Sequence, residues 1–283
     1  RTLSTGVGKK IHGHIETWKS LGHDVCFFMH SADEGNLDLL PGEKFFYPTQ
    51  SGTLQREIGR IHAATEMLRA IERYQPDIIY LRYGIYVYPV HRLATIAPVI
   101  EEINTNDVEQ HKELGILYSL YNRFTRGILL KSVSGLSCVS KELAKISRFR
   151  RFKKPTKIIA NGVDLRKIIP LDAPNNKIPR IIFIGGPGHS WHGVNKIVEL
   201  AKRFPDLKID MIGYNTLSDG APLPDNLILY GYLSSKEYLA IFALADVAIS
   251  SLALHRVNLL EASPLKSREY LAYGLPMILA YKD

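Results

Sequence analysis

The sequence predicts an α/β protein built from two domains with parallel sheets. Short apolar runs that read as buried strands alternate with amphipathic stretches along the whole chain, which is typical of parallel strands joined by crossover helices. A length of 283 residues suits two domains. Residues 165–179 are polar and contain several prolines, so we expect a linker there, between a first domain at 1–164 and a second at 180–283.

In the first domain, each expected strand is a short apolar run beside a turn signal, and each expected helix is a longer amphipathic stretch. Pro76, for example, introduces the apolar run that ends at Arg82. The expected helices are Lys10–Leu21, Thr53–Tyr74, Val90–Ile96, Leu114–Lys131 and one that begins at Lys141. The expected strands are His23–Met29, Lys44–Tyr47, Asp77–Arg82, Val99–Ile103, Gly135–Val139 and Lys157–Ala160.

The second domain repeats this alternation more regularly, and right-handed crossovers would wind it into a Rossmann-like half. In its last helix we expect Ser263 as the N-cap, Pro264 in the first helical position and Gly274 as the left-handed cap. The expected strands are Arg180–Gly185, Leu207–Gly213, Asn226–Gly231, Asp246–Ser250 and Pro276–Ala280, and the expected helices are Val194–Phe204, Ser235–Ala245 and Leu265–Tyr273.

The composition excludes several classes of protein. The apolar fraction of 46% and the charged fraction of 23% are those of ordinary globular chains. Cys26 and Cys138 are the only cysteines, which argues against a disulfide framework. No apolar run reaches the ~18 residues of a membrane-spanning helix. No metal-ligand spacing stands out, and no Gly-x-Ser-x-Gly elbow suggests a serine hydrolase.

Much of the net charge of +8 lies in residues 148–157, where six basic side chains are interleaved with Phe149 and Phe152. A solvated helix end and linker would explain this stretch. Peripheral contact with an anionic membrane surface would also explain it. We do not expect nucleic acid as a partner, because no recognition motif accompanies the basic residues.

The segment with the clearest chemistry runs from Glu261 to Glu269. Seven residues separate the two carboxylates, and a helix begins between them, with Lys266 in its first turn. A helix N-terminus offers free N–H groups and a favourable dipole to an anion. A sugar hydroxyl, a ribose and a diphosphate would suit this arrangement, although a capped helix with an exposed Lys266–Glu269 pair would give the same residues.

The segment resembles the Glu-x7-Glu signature of retaining glycosyltransferases of family 4, which have the GT-B fold of two facing Rossmann-like domains with a cleft between them. The resemblance implies transfer of a sugar from a nucleotide-sugar donor to an acceptor hydroxyl with retention at the anomeric carbon, and no metal or other cofactor. It implies that Glu261 holds hydroxyls of the transferred sugar and that Glu269 binds the donor ribose. Lys266, with the helix start at Ser263 and Leu265, would stabilise the leaving diphosphate.

Two glycine-containing turns are similar to the donor-binding loops of the same family. Gly6 and Gly8 precede the first helix, but Ile11 occupies the third glycine position, so a dinucleotide fingerprint is not supported. In the second turn, Gly186 and His192 stand where the family commonly carries an Arg and a Lys that hold the diphosphate. Plain turns and exposed loop histidines are the alternative explanation.

On the acceptor side, the resemblance extends to the ends of two strands, where α/β sheets bind ligands. Arg82 and Tyr83 end one strand, and Glu102 and Asn104 end the next. The Asn-Gly-Val-Asp run that begins at Asn161 resembles the family's entrance to the second domain, and we assign it a structural role.

The resemblance implies a nucleotide-sugar donor and a saccharide or lipid-linked acceptor as partners. It also implies a cytoplasmic location, either in solution or at the inner face of the membrane. A degenerate nucleotide-sugar-binding protein and a GT-B nucleotide-sugar epimerase remain as alternatives. Because the chain opens inside the first glycine turn and stops directly after a strand, we expect a fragment shortened at both ends.

Overall fold

The computed structural model describes residues 5–32, 41–48, 52–82, 84–217 and 222–283. Within these ranges the chain is mixed α/β and its strands pair in parallel, as expected. The chain divides into two compact units, residues 1–160 and 161–283. The division falls before the expected linker at 165–179. The backbone N–H of Asn161 donates to Ser263 Oγ at 3.0 Å, which ties the start of the second unit to its last helix.

The helices and strands of the first unit follow the expected order, with an additional helix before the long one. They are α1 (Gly6–Ser20), β1 (Phe28–Ala32), β2 (Glu43–Tyr47), α2 (Thr53–Tyr74), β3 (Ile79–Arg82), β4 (Val99–Ile103), α3 (Asp107–Glu113), α4 (Ile116–Ser132), β5 (Gly135–Cys138), α5 (Lys141–Lys145), α6 (Ser147–Arg150) and β6 (Thr156–Ile158), with a 3-10 helix at Val90–Thr95.

Most boundaries in this unit differ slightly from the predictions, and the starts of α1 and β1 differ most. Helix α1 begins at Gly6 rather than Lys10, because Thr5 Oγ1 accepts the N–H of Gly8 at 3.0 Å and caps the first turn. Strand β1 begins at Phe28 rather than His23, because its ladder partner β2 begins at Glu43, which lies opposite Phe28.

The described strands of the first unit form two parallel sheets, β1-β2 and β3-β4-β5-β6. In the second sheet, Arg82 pairs with Glu102, and Glu102 pairs with Ser137 of β5. Side chains alternate between the two faces of a strand, so Glu101 and Glu102 lie on opposite faces of β4. This register places the predicted acceptor-side residues Arg82 and Glu102 side by side.

The second unit is one sheet with the strand order β11-β10-β7-β8-β9, which is the Rossmann order and confirms the predicted winding. Its elements are β7 (Arg180–Ile184), α7 (Val194–Arg203), β8 (Lys208–Ile212), β9 (Leu227–Leu229), α8 (Ser235–Phe242), β10 (Val247–Ile249), α9 (Leu265–Ala272) and β11 (Met277–Ile278), with 3-10 helices at Leu165–Lys167, Ser190–His192 and Leu254–Val257.

Both faces of this sheet are covered. Phe183 of β7 packs with Ile197 of α7 on one face, and Ile182 packs with Phe242 of α8 and Tyr270 of α9 on the other. Alternate residues of a central strand therefore enter two separate cores, as a two-faced parallel strand requires. The packing fixes α9 against the carboxyl half of β7.

Candidate functional site

The signature helix α9 is anchored by buried hydroxyl groups. Tyr270 is fully buried, and its hydroxyl accepts the backbone N–H of Ile184 at 2.9 Å. On the same helix, the buried Ser267 hydroxyl lies 2.8 Å from that of Ser250 and 2.7 Å from that of Tyr281. Satisfied buried polar groups of this kind fix one arrangement, so the first turn of α9 is held at the end of β7.

Lys266 reaches from this first turn to the carboxyl end of β7. Its Nζ donates to the carbonyl oxygen of Ile184 at 3.2 Å and lies 4.2 Å from the centroid of the Phe183 ring. Desolvation of the ammonium group lowers the pKa of Lys266 to about 7. An added anion would restore the charged form, so the geometry suits a phosphate ligand better than an exposed Lys266–Glu269 pair.

The second glycine turn continues from β7 and lies against β8. Gly213 has φ +93°, and a Cβ built there would lie 1.8 Å from the carbonyl oxygen of Gly185. A Cβ on Gly185 would in turn lie 2.9 Å from His192 Nδ1. Only residues without a Cβ allow this close approach of two strand ends.

The alternative explanation of His192 as an exposed loop residue is wrong, and its predicted contact with the donor stays a prediction. The side chain is buried, and its Nδ1 lies 3.0 Å from the Tyr214 hydroxyl, which donates to the carbonyl oxygen of Gly186 at 2.6 Å. Burial, and secondarily the charge of Lys266, lowers the pKa of His192 to about 2. His192 is therefore a neutral packing residue that shapes the turn, and the charge at this site comes from Lys266.

Ser263 does not cap α9 as predicted. The N-cap is Pro264, whose ψ of 142° precedes the first helical residue, Leu265. Ser263 is buried, and its Oγ accepts from the Asn161 backbone and from Arg268 Nη2 at 2.8 Å. The serine hydroxyl is thus committed to the Asn161 segment, which supports the structural role assigned to that segment.

The two signature carboxylates have different surroundings. Glu269 lies inside α9, and its Oε1 accepts the hydroxyl of Tyr238 at 2.5 Å. Glu261 precedes the helix and forms an isolated parallel bridge with Lys282. Both residues are half-buried. The bridge fixes the backbone from which Glu261 projects.

In the first unit, the structure brings Arg82, Glu102 and Asn104 together. Arg82 Nη1 and Asn104 Nδ2 each donate to Glu102 Oε2 at 2.9 Å. Lys10 of α1 pairs with the other carboxylate oxygen, which also accepts the Tyr80 hydroxyl at 3.0 Å. Burial opposes ionisation of Glu102, but Lys10, Asn104 and Arg82 outweigh it and hold the pKa of Glu102 below its usual range. Tyr83 lies outside the described residues.

The first glycine turn is not a loop. Gly6 and Gly8 form the first turn of α1, and the N–H of Gly8 already donates to Thr5 Oγ1. The same helix contributes Lys10, whose Nζ donates to Asn104 Oδ1 at 3.2 Å. An amide that is already hydrogen-bonded is a weaker donor to a phosphate. The turn therefore contacts the Glu102 cluster through Lys10.

Four residues at these sites were missed by sequence reasoning: Lys10, Tyr214, Tyr238 and Arg256. Arg256 Nη1 donates to the carbonyl oxygen of Ser190 at 3.0 Å and places a second cation beside the glycine turn. Lys10 could have been found, because it lies in the turn after Gly6 and Gly8. The others carry no sequence signal, since each meets its partner only through tertiary packing.

The described residues contain no group of three or more His, Cys, Asp or Glu side chains that could hold a metal ion. Among the same residues, no helix is long and apolar enough to cross a membrane.

A parallel sheet of Rossmann order, with a glycine turn and a half-buried lysine at the carboxyl end of its first strand, defines an α/β protein that can bind a ligand at its strand ends. The chain belongs to glycosyltransferase family 4. The model of that family, described as Glycosyltransferase Family 4, matches residues 4–167. Its function is accordingly glycosyl transfer. No curated protein matches the sequence closely enough to show a relationship.

Solved structures confirm the GT-B fold class. The sucrose-phosphate synthase of Thermosynechococcus elongatus aligns with a TM-score of 0.68 at 15% identity, over 96% of this chain and 75% of that one. An α-glucosyltransferase in complex with UDP aligns with a TM-score of 0.62 at 12% identity, over 98% and 77%. The lipopolysaccharide outer core galactosyltransferase WaaB aligns with a TM-score of 0.56 at 13% identity, over 99% and 78%.

Proposed function

We propose that this protein transfers a sugar from a nucleotide-sugar donor to an acceptor hydroxyl, with retention at the anomeric carbon. The observation that carries the proposal is the position of Lys266, whose desolvated ammonium group lies at the end of β7 beside the glycine turn. A half-buried cation at a strand end is suited to a diphosphate whose charge grows as the glycosidic bond breaks. That an α-glucosyltransferase of this fold binds UDP supports a nucleotide donor.

We assign to the signature residues the roles that the family resemblance implies. Glu269, in the second turn of α9, binds hydroxyls of the donor ribose, and Glu261, before the helix, binds hydroxyls of the transferred sugar. Lys266 and the N–H groups of the first turn at Leu265 bind the diphosphate. The leaving phosphate oxygen accepts the acceptor proton, and we assign no side-chain base and no metal to the step.

The acceptor is a saccharide or a lipid-linked molecule. The Glu102 cluster in the first unit is the proposed acceptor-side group. Arg82 and Asn104 both donate to Glu102, and we assign them contacts with the acceptor hydroxyls. Because Glu102 is buried and held by Lys10, it orients these two side chains. The Arg82 side chain is 26% exposed, so part of its guanidinium group can reach a ligand.

The test is thermal unfolding with UDP, GDP, ADP and their sugars, with Glu269→Ala as the control. We expect one nucleotide to raise the unfolding temperature of the wild type by more than that of the variant. Transfer to an acceptor, followed by NMR of the anomeric proton, then checks retention. Binding without turnover would instead indicate a degenerate binding protein, and an isomerised donor in the absence of acceptor would indicate an epimerase.

A further inference from the structure

Helix α4 exposes an apolar face that the proposed function does not use. Leu117 and Phe124 are each 78% exposed, and Leu120, Tyr121 and Ile128 are exposed beside them. Their spacing of three and four residues places them on one side of the helix. The opposite side is buried through Asn122, Arg126, Leu129 and Leu130. A contiguous apolar surface of this kind marks an interaction site.

The border of this apolar face is cationic. Arg123 and Lys131 of α4, with Arg151, surround a cavity of about 430 Å³ whose other lining residues are Phe124, Gly127 and Phe152. The sequence of α4, all of which the structure describes, contains no Asp or Glu. Three cations beside the exposed ring of Phe124 match the chemistry of a phosphate-bearing surface with an apolar interior.

The structure also changes the role expected for residues 148–157. Phe149 is buried under the Arg126 guanidinium group, whose carbon lies 5.0 Å from the ring centroid. Arg148 pairs with Glu109 at 2.9 Å. These two residues therefore hold the segment to the first unit. The exposed cation Arg151 remains available, and the apolar contribution comes from α4.

We propose that the exposed face of α4 docks on an anionic phospholipid membrane. Leu117 and Phe124 enter the boundary between headgroups and acyl chains, and Arg123, Lys131 and Arg151 contact lipid phosphates. The sign of the charge selects this partner, because all three cations at the cavity would attract an anionic leaflet. The inference is independent of the donor site and of the proposed reaction.

The test is vesicle flotation of the whole chain with pure phosphatidylcholine and with an equimolar mixture of phosphatidylcholine and phosphatidylglycerol. We expect the bound fraction to be about tenfold larger on the mixture and to fall as salt rises. The double variant Leu117→Ser/Phe124→Ser and the double variant Arg123→Glu/Arg151→Glu should each lower binding about fivefold or more.

Two control variants make the same kinds of substitution at exposed positions outside α4. Leu21→Ser/Ile169→Ser replaces side chains that are 68% and 83% exposed, and Lys19→Glu/Lys202→Glu reverses two exposed charges. Both controls should bind vesicles like the wild type. Absence of wild-type binding to the anionic mixture, or equal binding by the α4 variants, would overturn the proposal. A dimer lost in Leu117→Ser/Phe124→Ser, without vesicle binding, would assign the face to a second copy instead.

Discussion

The ammonium group of Lys266 lies 4.2 Å from the centroid of the Phe183 ring while it donates to the neighbouring carbonyl of Ile184. A ring face and one carbonyl oxygen solvate a cation poorly compared with water. The protein therefore holds a lysine whose charge is favoured when an anion arrives. This relationship links the packing of α9 to the chemistry proposed for it.

Affinity for a nucleoside diphosphate should fall as pH rises through about 7. Without a bound ligand, the pKa of Lys266 in the folded protein is about 7. Above that pH the side chain must therefore take up a proton when the anion binds. Isothermal titration calorimetry at pH 8 in two buffers of different ionisation enthalpy should detect this uptake. Lys266→Arg keeps the charge and should remove the uptake, whereas an unchanged uptake in this variant would contradict the assignment. Lys266→Ala should lose most turnover.

Glu269 should determine recognition of the ribose. Glu269→Ala should weaken binding of the matching nucleoside diphosphate about tenfold, which corresponds to ~1.4 kcal/mol. The variant should also lose the preference for the ribose form over the 2′,3′-dideoxy form, as measured by calorimetry.

Tyr238→Phe is the matched control, because it removes the hydroxyl that donates to Glu269 and keeps the carboxylate. We expect this variant to retain the preference for ribose. If Glu269→Ala discriminates between the two nucleotides as the wild type does, Glu269 does not bind the ribose.

Glu101 should make the protein less stable as pH rises from about 4.5 to 8. The side chain is fully buried, and neither carboxylate oxygen has a hydrogen-bond partner within the described part of the chain. Burial, with the Asp107 charge, raises the pKa of Glu101 to about 8 against the opposing charge of Arg126. In that window the unfolded chain releases the proton and the folded chain keeps it, so stability falls with rising pH.

Glu101→Gln keeps the side chain neutral and should remove this dependence. From pH 5 to pH 8, the unfolding free energy of Glu101→Gln should rise relative to that of the wild type by at least about 1 kcal/mol. Urea unfolding at the two pH values measures it. The exposed substitution Glu16→Gln serves as the control, and parallel profiles for the wild type and Glu101→Gln would show that Glu101 is ionised in the folded protein.

Transfer should continue after metal ions are removed. The proposed site neutralises the diphosphate with Lys266 and the N–H groups at the start of α9, so no cation has to bridge the phosphates. Turnover in EDTA should stay within about twofold of the value with added Mg²⁺. A loss that Mg²⁺ restores would require a metal in the reaction and would reassign the role of Lys266.

The sequence by itself determined the α/β class, the alternation of elements and the family. It did so because buried parallel strands, helix stops at residues such as Gly274 and a spaced motif such as Glu261–Glu269 are local patterns. Helix α2, expected at Thr53–Tyr74, begins and ends as predicted for the same reason. The cluster of Arg82, Glu102 and Asn104 could be expected as well, since parallel strands end at one edge.

Only the tertiary structure decided the state of individual groups. The burial of His192, the contact of Ser263 with Asn161 and the burial of the Glu101 carboxylate depend on elements far apart in the sequence. The start of α9 is another example. Serine is a common N-cap residue, but the hydroxyl of Ser263 is held by the Asn161 backbone and Arg268. Local propensity offers a residue several partners, and packing selects one of them because most buried polar atoms bond to a partner within reach.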